Sequence, residues 1–171
     1  HSSMPIGSYS EKQIFPQEKL VLVPEGISNE IASVIMLKGI TAEYLLHRAY
    51  PAKKGDKALF HAAAGGVGQI LCQWANAIGC TVIGTVGSKE KEAIAKQNGC
   101  HHVINYTDHN FVEEVEKIVG KNGIDVVYDG VGASTFEGSI ECLKVRGMMV
   151  AFGNASGYVK TLDIKKHINT K

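Results

Sequence analysis

The stretch Ala62-Ala63-Ala64-Gly65-Gly66-Val67-Gly68 decides the fold, because it joins a predicted strand to a predicted helix through a glycine-rich turn. Such a turn directs backbone N–H groups and the positive end of a helix toward one point, which suits a pyrophosphate. Gly65 would let a ligand approach the backbone, and Gly68 would let the helix pack closely on the strand. Ala63 replaces the first glycine of the usual G-x-G-x-x-G pattern. The alternative is a tight turn that binds nothing, but the flanking strand and amphipathic helix favour nucleotide binding.

Short apolar strands alternate with helical patterns outward from this turn, as is typical of a parallel α/β sheet. The predicted strands are Lys57–His61, Thr81–Val86, His102–Asn105, Ile124–Asp129 and Met148–Phe152. The predicted helices run from Val67 to Ile78, from Glu90 to Asn98 and from Phe111 to Val119, with a fourth marked by Phe136, Ile140 and Leu143. Right-handed crossovers between these strands produce a doubly wound parallel sheet, and the fold class is therefore α/β.

The end of the second predicted strand indicates which dinucleotide would bind. Proteins that bind NAD place an Asp or Glu about 20 residues beyond the glycine turn, where it bonds the ribose 2′-hydroxyl. The stretch Thr85–Lys91 has no acidic residue at the strand tip, whereas Ser88 can donate a hydrogen bond and Lys91 can supply positive charge to a 2′-phosphate. Alternatively, Ser88 only caps the next helix while Lys91 is solvated. Capping and phosphate binding are compatible, and the pattern favours NADPH over NADH.

The first 56 residues show a different pattern. Gln13–Phe15 and Lys19–Val23 are predicted to form short strands, separated and ended by prolines. Ser28 is a candidate N-cap for a helix over Asn29–Leu37. Gly39 is expected to interrupt that helix before a second helical stretch, Thr41–Tyr50.

Composition and charge argue against a nucleic-acid partner, a membrane partner and a metal site. The 171 residues carry 18 Lys+Arg and 17 Asp+Glu, a net charge of +1, which gives no general case for a nucleic-acid or membrane partner. The four cysteines form no C-x-x-C pair, so we expect no metal site and a reduced, cytoplasmic protein. The run Lys165-Lys166-His167 is interpreted as a solvated tail rather than an RNA-binding patch.

The chain resembles the zinc-independent quinone oxidoreductases, the zeta-crystallin type, of the medium-chain dehydrogenase/reductase superfamily. The resemblance covers nearly the whole chain, in order and at the family's spacing. It is carried by Leu37–Ala42, Phe60–Gly68, Ile83–Gly87, Val103–Tyr106, Val127–Gly132 and Phe152–Gly157. It implies a Rossmann cofactor domain preceded by a remnant of a GroES-like catalytic domain.

The resemblance also implies a set of cofactor-binding residues. The glycine turn would hold the pyrophosphate, Lys91 and Tyr106 would bind the 2′-phosphate of NADPH, and Thr41 would lie near the nicotinamide. The complete set is Thr41, Ala64, Gly65, Gly66, Val67, Gly68, Gly87, Ser88, Lys91, Tyr106, Gly130, Val131, Gly132, Phe152, Gly153 and Asn154. His61 is a candidate general base, although its position at a strand end favours a packed or orienting histidine. The sequence assigns no catalytic residue.

The resemblance predicts an NADPH:quinone reductase that acts as a homodimer on a small-molecule quinone. An NADPH-dependent alkenal or enoyl reductase is the alternative enzyme, and a non-enzymatic NADPH-binding crystallin or RNA-binding protein is the alternative from another class. We expect residues 1–3 to remain from a tag, residues 4–25 to be the catalytic-domain remnant, residues 26–157 to bind NADPH and residues 158–171 to be a truncated tail.

Overall fold

The computed structural model describes Gly7 and residues 9–161, and these residues divide into two compact units between Ile35 and Met36. The α-helices are α1 (Asn29–Tyr44), α2 (Gly66–Ile78), α3 (Lys89–Gln97), α4 (Phe111–Val119) and α5 (Phe136–Cys142). The strands are β1 (Lys57–Phe60), β2 (Thr81–Val86), β3 (His102–Asn105), β4 (Ile124–Asp129) and β5 (Leu143–Ala151). A 3₁₀ turn, Gln17–Lys19, and a π-helical turn, Leu45–Ala49, complete the described elements. The predicted tag residues and the run 165–167 lie outside the described residues.

The five strands form one parallel sheet in the order β3-β2-β1-β4-β5. The chain moves outward from β1 to β3 and then returns to place β4 on the other side of β1. The point at which the strand order reverses therefore lies between β1 and β4, and this is where open parallel sheets bind ligands. The predicted doubly wound sheet is confirmed.

Local sequence signals set the boundaries of the helices. The Ser88 side chain accepts a hydrogen bond from the Lys91 N–H at the start of α3, and Asn110 does the same for Val112 at the start of α4. Gly79 ends α2 with a φ of +96°, a left-handed conformation that glycine adopts without steric cost. These caps explain why most of the predicted boundaries lie within one residue of the observed ones.

Two apolar layers cover the sheet. One lies between the sheet and α2, where Phe60 and Tyr128 stack with ring centroids 4.9 Å apart. The other contains Ile83, Val115 and Val127, beside α4 and α5. The central strands β1 and β4 are consequently buried on both faces, which accounts for their nearly continuous apolar sequence.

The predicted strands at the N-terminus are wrong. No strand occurs in residues 9–35; Lys19 instead ends the 3₁₀ turn that follows Pro16. Leu20 has an extended backbone, but extended residues form a β-strand only when a neighbouring strand supplies hydrogen bonds. Apolar composition therefore misled the prediction, since Leu22 is 93% exposed.

Two further boundaries differ from the prediction. Gly39 lies inside α1 without interrupting it, because a single glycine costs a helix only about 1 kcal/mol. The fifth strand begins at Leu143 rather than Met148, because Leu143 pairs with Ile124 before an irregularity in the register. Phe152 follows the strand, and its N–H donates to the carbonyl of Asp129.

Among the residues that the structure describes, no helix is long and apolar enough to cross a membrane. The four cysteines, Cys72, Cys80, Cys100 and Cys142, are buried free thiols.

The buried hydroxyl of Tyr128 provides a test of the core. It donates a 3.2 Å hydrogen bond to the carbonyl of Tyr50, while the ring stacks on Phe60. We expect Tyr128→Phe to keep the stack, to lose the hydrogen bond and to lower the free energy of unfolding by about 1 kcal/mol in urea titrations. The control is Tyr106→Phe, since Tyr106 is 49% exposed. Equal effects of the two substitutions would contradict this account.

Candidate functional site

The β1–α2 turn brings backbone groups to the carboxyl edge of the sheet. Ala62 adopts a left-handed conformation with φ of +55°, and its carbonyl accepts the Gly65 N–H at 2.8 Å. The N–H of Ala63 donates to the carbonyl of Thr85 in β2, which ties the turn to the neighbouring strand. Helix α2 then starts at Gly66 with no side chain capping its N-terminus. Its first-turn N–H groups therefore face the carboxyl edge without a side-chain acceptor.

Gly68 is required at this turn. A Cβ atom there would lie 2.4 Å from the carbonyl oxygen of Ala62 and 2.7 Å from that of Ala63. Both obstacles are backbone atoms that cannot move aside. The predicted close packing of the helix on the strand is confirmed at this position.

Lys91 and Tyr106 meet where β2 and β3 end. Both line a cavity of about 110 Å³, together with Gly65 and Gly87. The Tyr106 hydroxyl oxygen would lie 2.5 Å from a Cβ at Gly87, so the phenol lies directly against that glycine. Lys91 forms no ion pair with any described residue. The structure therefore brings together the two side chains that the sequence predicted for a 2′-phosphate, and we name this cavity, with Lys91 and Tyr106, the phosphate corner.

Ser88 acts as the N-cap of α3 and does not line the phosphate corner. Its oxygen accepts the N–H of Lys91 at 3.4 Å, which positions the backbone from which the Lys91 side chain extends. The capping interpretation of Ser88 is confirmed.

A larger cavity, of about 550 Å³, lies on the other side of Tyr106. We name it the edge cavity. Its walls include Phe111 at the start of α4, and Val131 and Thr135 between β4 and α5. Sequence reasoning missed Phe111 and Thr135 as site residues, because Phe111 has the periodicity of an ordinary apolar helix face and Thr135 carries no motif.

The loops after β4 and β5 pack against each other. A Cβ at Gly153 would lie 2.6 Å from the Gly130 carbonyl oxygen, and one at Gly130 would lie 3.0 Å from the Phe152 ring. A Cβ at Gly132 would lie 3.1 Å from the Cα of Asn154. These contacts join five of the six cofactor-binding residues predicted in the two loops. The sixth, Val131, lines the edge cavity.

Thr41 lies in α1, outside the linings of both cavities. Its hydroxyl donates to the Leu37 carbonyl within that helix. Lys38 from the same helix lies against the turn instead: its Cε and Nζ would lie 2.6 and 3.1 Å from a Cβ at Gly66. Sequence reasoning missed Lys38, since nothing in the sequence indicates that α1 approaches α2.

His61 is a buried, hydrogen-bonded histidine. It is 3% exposed and hydrogen-bonds the hydroxyls of Thr85, at 2.9 Å, and Ser139, at 2.8 Å. Burial lowers the pKa of His61 to about 4, although the nearby Asp129 carboxylate opposes that shift. With both ring nitrogens occupied, His61 is not placed to act as a general base, and the packed interpretation is confirmed.

The family model for zinc-binding dehydrogenases matches residues 66–171. The chain belongs to the zinc-binding dehydrogenase family. This finding confirms the resemblance to the medium-chain dehydrogenase/reductase superfamily. Within Gly7 and residues 9–161, however, no three His, Cys, Asp or Glu side chains are arranged to hold a metal ion.

Relatives within this family carry the names of reductases. A 2-haloacrylate reductase from Burkholderia is 44% identical over 98% of this chain and 51% of its own length. A quinone oxidoreductase from Pseudomonas aeruginosa is 45% identical over 96% of this chain and 50% of its own length. The crystal structure of Escherichia coli quinone oxidoreductase complexed with NADPH superposes with a TM-score of 0.83 at 46% identity, covering 88% of this chain and 46% of that chain. The chain therefore spans about half the length of the curated relatives it matches.

The backbone contact at Gly68 predicts a large loss of stability on substitution. We expect Gly68→Ala to lower the free energy of unfolding by about 3 kcal/mol, because the turn must open to accept the methyl group. Gly66→Ala is the matched control, since a Cβ there meets only the flexible Lys38 side chain. The control should change stability by less than about 1 kcal/mol. Equal losses for both variants in denaturant titrations would contradict the proposed role of Gly68.

The lowered pKa of His61 predicts a loss of stability in acid. The unfolded chain binds a proton at a pKa near 6.5, whereas folded His61 does so only near 4. Between these values the unfolded state holds more protons, so stability is present above pH 6.5 and is lost as the pH falls toward 4. The loss should reach about 3 kcal/mol. His61→Asn should flatten the curve of unfolding free energy against pH between pH 6.5 and 4. The control is His102→Asn, at an exposed position, which should leave the curve as it is. An unchanged curve in His61→Asn would contradict the conclusion that His61 causes the loss of stability in acid.

Proposed function

We propose that this chain forms the NADPH-binding domain of an NADPH:quinone oxidoreductase. The observation that carries the proposal is the phosphate corner, where Lys91 and Tyr106 lie beside Gly65 and Gly87. A carboxylate at the end of β2 would repel a 2′-phosphate, but the chain places Gly87 and Ser88 there. Relatives at 45–47% identity named quinone oxidoreductases, and a structural neighbour complexed with NADPH, support the same function.

The cofactor's parts match the groups along the carboxyl edge. The N-terminus of α2 would take the pyrophosphate, aided by the positive charge of Lys38. The phosphate corner would take the 2′-phosphate, and the edge cavity would take the adenosine between Phe111 and Val131. Gly130 and Gly132 would border the adenosine beside Val131, and Phe152–Asn154 would border the nicotinamide, with Thr41 as a further expected contact.

When bound, NADPH supplies a hydride to the substrate. The residues of this chain bind and orient the cofactor and exclude water from it, and hydride transfer needs no protein nucleophile. We expect no zinc in the reaction, on the basis of the resemblance and the separated cysteines. Cytoplasmic location, a homodimer and a catalytic domain that includes residues 4–25 stay predictions; sedimentation or light scattering tests the homodimer.

A second candidate is reduction of an activated C=C bond. The 44% identity over 98% of the chain to a 2-haloacrylate reductase favours it. Both reactions use the same cofactor geometry, so the substrate must be tested directly. NADPH oxidation by the full-length protein should be followed with ortho- and para-quinones and, separately, with 2-chloroacrylate and an α,β-unsaturated aldehyde, because we expect the cofactor domain alone to turn nothing over. Turnover of quinones supports the first proposal, and turnover of the alkenes alone replaces it with the second.

The phosphate corner makes a direct prediction about cofactor choice. We expect Lys91→Met to weaken NADPH binding by about 10- to 100-fold, the loss of one charge-assisted hydrogen bond, and to leave NADH binding within about 2-fold. Lys89→Met is the matched control, because Lys89 is an exposed lysine of the same helical turn that does not line the corner. Calorimetric titration with both cofactors measures the effect. An equal loss for NADPH and NADH, or for both lysines, would refute the assignment.

A further inference from the structure

Five buried polar side chains lie beneath the carboxyl edge. Thr85, Ser139 and Asp129 are fully buried, His61 is 3% exposed and Thr135 is 7% exposed. They come from the ends of β1, β2 and β4 and from the start of α5. Buried polar groups are costly unless they are hydrogen-bonded, so a connected set of five in this place requires an explanation.

The donor and the acceptor of each hydrogen bond among these residues can be assigned. The Ser139 hydroxyl donates to the Thr135 carbonyl at 2.7 Å, so its oxygen is left to accept from His61 Nε2 at 2.8 Å. His61 therefore carries its proton on Nε2, and its Nδ1 accepts from the Thr85 hydroxyl at 2.9 Å. Both ring nitrogens are occupied, and only one tautomer satisfies every partner.

The network continues from α5 to the loop after β4. The Thr135 hydroxyl donates to Asp129 Oδ2 at 2.7 Å. The other carboxylate oxygen of Asp129 accepts the N–H groups of Val131 and Gly132, at 2.7 and 3.0 Å. These bonds tie the backbone of Val131 and Gly132, whose φ is +92°, to the end of β4.

His61 also contacts Phe111, which lines the edge cavity at the start of α4. Its ring meets Phe111 edge-on, with centroids 5.0 Å apart and an interplanar angle of 82°. Phe111, Val131 and Thr135 line the cavity, whereas His61, Thr85 and Ser139 do not. One buried ring thus contacts one wall directly and reaches the other through hydrogen bonds.

We propose that His61 is a positioning residue that, locked in its Nε2–H tautomer by Thr85 and Ser139, sets the two walls of the edge cavity for the adenosine half of the cofactor. This inference rests on the proposed function. It predicts that disrupting the network weakens the binding of all adenine nucleotides, because the network contacts the edge-cavity walls that would hold the adenosine. It predicts no effect on the choice between NADPH and NADH, because the network does not reach Lys91.

The test uses variants of the two hydroxyls that hydrogen-bond His61, neither of which lines the edge cavity. Thr85→Val and Ser139→Ala each remove one hydroxyl partner of the ring, and Thr85→Ser keeps the hydroxyl as the matched control. We expect each of the first two to raise the Kd of NADPH, NADH and 2′,5′-ADP by a common factor of about 5 to 10, the loss of roughly one hydrogen bond. Thr85→Ser should bind as the unsubstituted protein does. Lys91→Met provides the contrast, since it should change the ratio of NADPH to NADH affinity.

The outcomes are distinguishable. If the unsubstituted protein binds none of the three ligands, the proposed function fails. If it binds them and both Thr85→Val and Ser139→Ala bind equally well, the positioning role of His61 is overturned; a change confined to the NADPH-to-NADH ratio overturns it as well. A merely structural role would lower the melting temperature of these variants without a common shift in Kd.

Nitrogen NMR of the histidine rings supplies an independent readout. The His61 ring should show a protonated Nε2 and an unprotonated Nδ1 throughout pH 5.5–8, because burial lowers its pKa to about 4. Thr85→Val should alter the Nδ1 signal while Thr85→Ser retains it. An Nδ1–H tautomer in the unsubstituted protein would overturn the proposal whatever the ligands do.

Discussion

A side chain at Gly68 would overlap the carbonyl oxygens of Ala62 and Ala63, and the site depends on this constraint. Only with a bare Cα can α2 begin so close to the end of β1. The N–H groups of the first turn of α2 then face the point where the strand order reverses between β1 and β4. If α2 began further from β1, the positive end of its helix dipole would lie further from the phosphate corner, even with the other site residues unchanged.

The carboxyl edge is held by polar groups in an otherwise apolar interior. Asp129 has both carboxylate oxygens occupied, by two backbone N–H groups and the Thr135 hydroxyl. Burial keeps the pKa of His61 low, so the ring stays neutral at physiological pH. A neutral ring avoids the cost of burying a charge while offering one donor and one acceptor. The network therefore orders three strand ends without adding positive charge next to the phosphate corner.

Strands β1 and β4 were predictable because burial on both faces gives them nearly continuous apolar runs, and β2 and β3 were predictable as short runs with β-branched residues between helical patterns. The glycine turn and Lys91 were predictable from their places after β1 and β2, whereas the resemblance to the family supplied Tyr106. Lys38 and Phe111 were not, since each enters the site through tertiary packing. At the N-terminus, Leu20–Val23 has the composition of a strand, but strand formation depends on a hydrogen-bonding partner that composition does not reveal. The early start of β5 at Leu143 likewise follows from its pairing with Ile124 across an irregular register.

Tyr106 lies between the two cavities, and its two ends have different chemistry. Tyr106 lines both the phosphate corner and the edge cavity. Its hydroxyl, however, lies against Gly87 on the side of Lys91. A contact with the ring depends on shape complementarity, so NADPH and NADH would both make it. A hydroxyl beside a lysine instead favours a negatively charged group such as a phosphate. Under the proposed function, this arrangement would separate two properties of cofactor binding: affinity for the adenosine would depend on how the cavity walls are held, and selectivity for the 2′-phosphate would depend on two polar groups at its border.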